Sequence, residues 1–188
     1  MSTENPTRRL LIETTAKLLQ NQGYNATGLN QITQLSGAPK GSLYYHFPDG
    51  KEQLACEAVS HTKKVTLAGL RDALDASPDA VVAVQGLFTF IADNYDQDAD
   101  LGVPIGIVAH ETARSNENIR QACCGVYHAW IGEFEKKFKS CGYEAEEAAD
   151  LAVVINGMVE GAIIMCLTQK SSVPLRTTAK LIPRLFKR

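Results

Sequence analysis

The chain has 188 residues, of which 45% are hydrophobic and 21% charged, a balance typical of a folded globular protein rather than a disordered one. The net charge of −2 argues neither for nor against a nucleic-acid partner, and five cysteines, an odd number, favour a reducing compartment over a disulfide framework. No uninterrupted apolar run reaches the ~18 residues of a membrane span, so we expect a cytoplasmic protein without membrane contact.

The charge is distributed unevenly along the chain. Residues 1–51 hold five basic and three acidic residues, a net +2, and the remaining residues carry a net −4. This asymmetry is small, but it has the sign that a DNA-contacting head on an acidic body requires.

The first fifty residues predict a helix followed by a helix-turn-helix. Apolar residues at helical spacing predict a helix over 7–22, which Gly23 ends. Two short helices follow, with a turn at Gly37 and with Thr27 placed to cap the first of them. The apolar face of that first short helix is predicted to be Leu29, Ile32 and Leu35.

The second short helix, Lys40–Phe47, carries hydrogen-bonding side chains at consecutive positions. Adjacent positions of a helix cannot all face inward, so at least one of Tyr44, Tyr45 and His46 must be exposed. An exposed helix of this composition is poor core material, and its side chains can donate to phosphates or pack on base edges in a groove. Lys51 opens the next helix, where free amides and the helix dipole favour an anion.

The rest of the chain predicts further helices and no strand. A long fourth helix should run from Lys51 to about Leu74, and later helices should begin near Ser77, Pro104, Asn118, Ala145 and Pro174. Ser77 is the expected cap of the fifth helix, and the acidic residues 93–100 are expected to form a solvated connection. The predicted fold is all-α with about nine helices, divided into a DNA-binding head (1–50) and a larger ligand-binding and dimerisation body (51–188).

The helix predicted over 145–170 is apolar nearly all the way round, and such a helix needs two partners. One partner would be its own domain and the other a second copy of the chain, so we expect a homodimer formed through residues 145–188. Gly157 and Gly161, four residues apart, would let another backbone come close, although packing within the chain explains their spacing equally well.

Three pieces of the first sixty residues together resemble the head of the TetR family of bacterial regulators: GYNAT (Gly23–Thr27), ITQLSGAPKGSLYYHF (Ile32–Phe47) and KEQL (Lys51–Leu54). The resemblance implies a homodimeric, ligand-responsive transcriptional regulator, most often a repressor, that binds palindromic double-stranded DNA and is released by a small-molecule inducer. Carried over by position, the implied DNA contacts are Thr27, Lys40, Gly41, Ser42, Tyr44, Tyr45, His46 and Lys51. The PDG between Phe47 and Lys51 is one residue longer than usual and resembles a subgroup associated with drug-resistance operons.

In this family the body binds the inducer between its helices. The candidate lining residues are Phe88, Tyr95, His110, Tyr127, Trp130, Phe134 and Met158, although residues at such positions belong to a core more often than to a pocket. His110 is singled out because a histidine in an apolar helical segment needs a hydrogen-bond partner, and a ligand can be one.

The alternative classes have weaker support. Cys124 and His128 share a helix face as half of a metal site, but no second pair completes four ligands, and no phosphate-binding glycine loop is present. We therefore expect no catalytic site, no metal and no cofactor. The alternative function is an all-helical interaction protein, or a redox- or metal-sensing protein built around residues such as Cys123 and Cys124, with a vestigial DNA-binding head.

Overall fold

The structure, a computed structural model, describes residues 5–97 and 105–186. These residues form nine α-helices and no strand, which confirms the predicted all-α fold. The helices are α1 (Pro6–Ala26), α2 (Leu29–Ser36), α3 (Lys40–His46), α4 (Gly50–Asp75), α5 (Ala80–Asp96), α6 (Ile105–Thr112), α7 (Glu117–Ser140), α8 (Ala145–Gln169) and α9 (Val173–Leu185).

The described residues group into two compact units. The first contains residues 5–65 and Ile105–Val126, and the second contains residues 66–97 and 127–186. The segment 105–126 therefore belongs to the same unit as the helix-turn-helix, although it is distant from it in sequence. The functional division between residues 50 and 51 stays a prediction.

The first unit is built on a core that α1, α2 and α3 share with the start of α4. Ile32, Leu43 and Phe47 are fully buried in it. Leu35, predicted to join this core, is instead 62% exposed. The buried stripe of α2 runs through Ile32 and Ser36, and this places Leu35 on the outer side of the helix.

The end of α1 is interrupted at Gly23, whose φ of 77° lies in the left-handed region. The predicted break at this glycine is therefore confirmed, although helical residues continue to Ala26. The predicted cap of α2 by Thr27 is wrong. The N-cap of α2 is Gly28, without a side-chain hydrogen bond, and the Thr27 hydroxyl donates backward to the Gly23 carbonyl over 2.6 Å.

The second unit has its own core, contributed by α4, α5, α7, α8 and α9, with Phe88, Phe138 and Ile155 fully buried. Helix α5 begins at Ala80 and is capped by Asp79, whose carboxylate accepts from the amides of Val81 and Val82, so the predicted cap at Ser77 is wrong. The predicted acidic loop is also wrong as far as residue 96, because that stretch is helical; residues 98–100 lie outside the described residues.

Candidate nucleic-acid interface

Helix α3 presents the side chains that the sequence assigns to DNA. Tyr45 is 82% exposed and Tyr44 is 47% exposed. Lys40 and Gly41 are also exposed, whereas Ser42 and His46 are half-buried. At least one of Tyr44, Tyr45 and His46 was expected to be exposed, and the exposure of both tyrosines confirms this expectation.

The same short helix is anchored from its other side. Leu43 and Phe47 are fully buried, so only one orientation of this seven-residue helix buries its apolar groups. The Arg8 guanidinium lies over the Phe47 ring, 5.3 Å from its centroid, and also pairs with Glu57 on α4. Because α3 is too short to be stable alone, this packing is what holds its outer face in place.

The turn between α2 and α3 is closed by local chemistry. Gly37 has a φ of 68°, which side-chain-bearing residues rarely adopt. The Ser36 hydroxyl accepts a 3.3 Å hydrogen bond from the Ala38 amide across that turn. The angle between the two short helices is therefore fixed by residues 36–38, as a groove-reading motif requires.

Lys51 lies at the second position of α4, and it is half-buried rather than extended into solvent. Its ammonium stands 4.2 Å from the centroid of the Tyr24 ring, within the range of a cation–π contact. Burial lowers the pKa of Lys51, and the negative charge of Glu111 opposes that shift. A phosphate contact by this ammonium stays a prediction.

Thr27 differs from the other predicted DNA contacts because its side chain is 1% exposed. Its hydroxyl is used within α1 and the following turn, so in this structure it is not presented to a ligand. A DNA contact by this side chain stays a prediction.

Two carboxylates that the sequence did not connect with the head make contacts within the first unit. Glu52 on α4 accepts hydrogen bonds from the side-chain amides of Asn116 and Asn118, each over 2.6 Å, and these bonds lower its pKa. The carboxylate of Glu111 on α6 accepts hydrogen bonds from the backbone amides of Tyr24 and Asn25. Pairs 64 to 87 residues apart carry no signal in a single sequence.

Two protein-family models match this chain. The family model described as "Bacterial regulatory proteins, tetR family" matches residues 11–58, and the one described as "Transcriptional regulator LmrA/YxaF-like, C-terminal domain" matches residues 80–181. The uncharacterized HTH-type transcriptional regulator YxaF of Bacillus subtilis (strain 168) is 41% identical over 189 residues, which cover 100% of this chain and 99% of the relative. The chain belongs to the TetR family.

Other TetR-family proteins match over nearly the whole chain. The HTH-type transcriptional regulator LmrA of the same Bacillus strain is 40% identical over 182 residues, covering 96% of this chain and 97% of the relative. The crystal structure of a TetR regulator from Legionella pneumophila superposes with a TM-score of 0.82, covers 100% of both chains and is 24% identical. The protein is thus a helix-turn-helix transcriptional regulator, and regulators of the TetR family bind DNA and act as dimers. Membership of the drug-resistance subgroup stays a prediction.

The predicted inducer-lining residues occupy different environments. Phe88 and Phe134 are buried in the core of the second unit. Tyr95, Tyr127, Trp130 and Met158 are half-buried in that unit. His110 lies on α6 in the first unit and is exposed, so the argument that it needs an internal partner is wrong: water satisfies an exposed imidazole.

The half-buried aromatic residues of α7 are already engaged. The rings of Tyr127 and Trp130 meet edge to face with centroids 5.9 Å apart, and the Trp130 indole donates to the Thr66 hydroxyl over 3.0 Å. The Tyr95 hydroxyl donates to the Cys166 carbonyl over 2.9 Å. These contacts fix the orientation of each ring. A ligand would therefore have to displace a ring or pack against it as it stands.

None of the five cysteines, all of which the structure describes, forms a disulfide. Burial, followed by the nearby carboxylates Glu52 and Glu57, raises the pKa of Cys56, and burial also raises that of Cys166. A raised thiol pKa lowers the thiolate fraction and therefore the reactivity. Among the described residues, no group of three or more His, Cys, Asp or Glu side chains is placed to hold a metal ion.

Proposed function

We propose that the protein is a cytoplasmic repressor that binds a palindromic operator as a homodimer and leaves it when a small-molecule inducer binds the body. The observation that carries the proposal is the outer face of α3, where Lys40, Tyr44 and Tyr45 are exposed on a helix whose other face is fully buried. Two such helices related by a two-fold axis would read two half-sites about one helical turn of DNA apart.

The chemistry of that face suits both parts of DNA recognition. An exposed lysine at a helix start reaches a phosphate or a guanine edge, and tyrosine hydroxyls donate to phosphate oxygens while the rings pack on sugar or thymine methyl groups. Gly41, exposed beside Lys40, has no side chain to keep the backbone away from DNA. Ser42 and His46, half-buried on the same helix, would supply shorter contacts.

The operator can be selected from random double-stranded DNA by the purified protein and then titrated in a mobility-shift assay at several salt concentrations. Lys40→Ala should weaken binding and reduce the slope of log K against log salt by about 0.9 for each lost phosphate contact. Tyr44→Ala should weaken binding as well. Lys64→Ala, which removes one exposed charge from α4, is the matched control and should bind nearly as the wild type does. Selection of no palindrome, or equal binding by all variants, contradicts the proposal.

The proposed dimer interface is the outer surface of α8 and α9. On α8 the side chains of Val153, Val154, Ile164, Met165 and Leu167 are exposed, and on α9 those of Leu181 and Leu185. Among the described helices, α8 is long and apolar enough to cross a membrane, and only 33% of its most apolar window is buried. In a TetR-family regulator, a second copy of the chain is the partner that would cover such a surface.

The glycine pair on α8 supports the same surface. A Cβ built at Gly157 or Gly161 meets no atom within 4 Å, so neither glycine makes room for a close neighbour within the described part of the chain. Gly161→Leu should therefore cost the protomer nothing and should even favour the helix by roughly 1 kcal/mol. In a dimer that packs on this face, the added side chain would separate the two copies.

Sedimentation velocity at micromolar concentration gives the test. Gly161→Leu should shift the protein toward the monomer, while Gly69→Leu, at another exposed helical glycine with open space around it, should leave the dimer intact. A Gly161→Leu protein that dimerises as tightly as the wild type would move the interface elsewhere.

The inducer is proposed to bind among the half-buried side chains of the second unit, against Tyr127, Trp130 and Met158. An inducer that favours a body conformation unsuited to the operator would release it by shifting the population. Trp130 is the only tryptophan, so its fluorescence reports on this region. A panel of apolar and aromatic compounds can be screened for operator release and for a change in that emission. The same midpoint in both readouts supports the site, and release without any change in emission contradicts it.

A further inference from the structure

The carboxylate of Glu111 lies against the end of α1, directly before the helix-turn-helix. Its Oε2 accepts hydrogen bonds from the backbone amides of Tyr24 and Asn25, over 2.6 and 3.0 Å. The break of α1 at Gly23 leaves these amides to be satisfied from outside the helix. A Cβ at Gly23 would lie 2.6 Å from Glu111 Oε1, so the approach of this carboxylate depends on the glycine.

Tyr24, whose backbone amide donates to Glu111, also contacts Lys51 through its ring. The Tyr24 ring lies 4.2 Å from the Lys51 ammonium, which in turn stands at the N-terminus of α4. A lysine side chain in solvent populates many rotamers. A cation–π contact with an aromatic ring restricts the side chain to the few rotamers that keep the ammonium over the ring. Three groups from α6, α1 and α4 thus form a chain of contacts from Glu111 through Tyr24 to Lys51.

We propose that Glu111 is a positioning residue for operator binding: by fixing Tyr24, it aims the Lys51 ammonium at a DNA phosphate. The inference rests on the proposed function, because it takes Lys51 to be a phosphate contact. It also reverses the effect that charge alone predicts. A carboxylate near the DNA-binding surface repels phosphates, so its removal should tighten binding if charge is all that it contributes.

The test compares Glu111→Ala with Glu111→Gln in operator binding across a range of salt concentrations. The glutamine keeps an oxygen that can accept from both amides and loses only the charge. Glu111→Ala should bind roughly 3- to 10-fold more weakly at 0.15 M salt, with a log–log slope smaller by up to about 1.8, because each of two protomers loses its aimed phosphate contact. Glu111→Gln should retain most of the wild-type slope. A purely electrostatic role predicts that both variants bind more tightly.

The variants at the other two residues complete the design. Lys51→Ala should lower the slope by about 1.8 per dimer, and adding Glu111→Ala to it should change the slope no further. Tyr24→Leu should resemble Glu111→Ala, and Tyr24→Phe, which keeps the ring, should resemble the wild type. Thermal unfolding of each variant shows whether it is folded, and the double variant answers the question even if Glu111→Ala is less stable.

The outcomes separate this inference from the function on which it rests. If Lys51→Ala lowers the slope and Glu111→Ala does not, the positioning role is overturned while operator binding stands. If Lys51→Ala leaves the slope unchanged in a protein that still binds its operator, both the phosphate contact and its positioning are overturned. If the wild type selects no DNA, the proposed function itself fails.

Discussion

Replacing Thr27 with valine removes one buried hydroxyl while nearly preserving the shape of the side chain. The hydroxyl donates to the Gly23 carbonyl over 2.6 Å, and both residues are buried. A hydrogen bond of this kind contributes about 1 kcal/mol net, and a buried carbonyl left without its donor costs about 1–3 kcal/mol. Since 1 kcal/mol moves the Tm of a chain this long by roughly 2–4 °C, Thr27→Val should lower the Tm by about 2–12 °C.

The assay pairs thermal unfolding with operator titration over a range of salt concentrations. Because the Thr27 side chain is buried, Thr27→Val should lose stability while the salt slope of DNA binding stays that of the wild type. Thr27→Ser retains the hydroxyl and loses only a methyl group, so it should keep the Gly23 bond. A wild-type Tm together with a reduced slope for Thr27→Val would contradict this prediction, because the hydroxyl would then contact DNA rather than stabilise the fold.

Phe88→Ala empties a fully buried site in the second unit and should cost about 3–5 kcal/mol of unfolding free energy, whereas Phe90→Ala, at a 56% exposed position on the same helix, should change the denaturant midpoint little. Equal small effects would show that Phe88 lines open space rather than the core. The Arg120 and Gln121 side chains lower the pKa of Glu117 to about 2, so the stability that this carboxylate contributes is present above about pH 4.5 and is lost as the pH falls toward 2. An NMR titration should find that midpoint, and Arg120→Ala should raise it.

The helices themselves could be predicted from local signals. The recognition helix was expected over Lys40–Phe47 and is found over Lys40–His46, because its polar and apolar positions and the Gly37 turn are all properties of adjacent residues. Helix α8 was expected over Ala145–Lys170 and is found over Ala145–Gln169. Periodicity is reliable where one face is buried along the whole element.

The errors occur where two local hydrogen-bonding patterns compete. Ser77 and Asp79 are both good N-cap residues two positions apart, and the carboxylate wins because it reaches the amides of Val81 and Val82, while the Ser77 hydroxyl accepts from the Asp79 amide. Thr27 could cap the next helix or donate back to the carbonyl four residues earlier, and it does the latter. Both alternatives agree with the local sequence, so the sequence pattern does not show which hydrogen bond forms.

Other features depend on contacts that are distant in sequence. Asp93 and Asp96 belong to an acidic stretch that reads as a solvated loop, but both carboxylates pair with Arg176 on α9, at 2.8 and 2.7 Å. The ion pairs, together with the extensive packing of α5 on α9, keep this part of the stretch helical. The environment of Lys51 was missed in the same way, since its partner ring lies 27 positions earlier, on α1.

The composition of the first unit bears on how an inducer signal reaches the operator. Helix α4 contributes residues to both units, so it is one path along which such a signal could travel. Within the first unit, Glu111 on α6 contacts the end of α1, and Asn116 and Asn118 contact Glu52 at the start of α4. Segment 105–126 therefore holds both flanks of the helix-turn-helix by hydrogen bonds to carboxylates. A displacement of this segment of even 1 Å would break bonds that are 2.6 Å long, so the two flanks of the helix-turn-helix and segment 105–126 keep their places together.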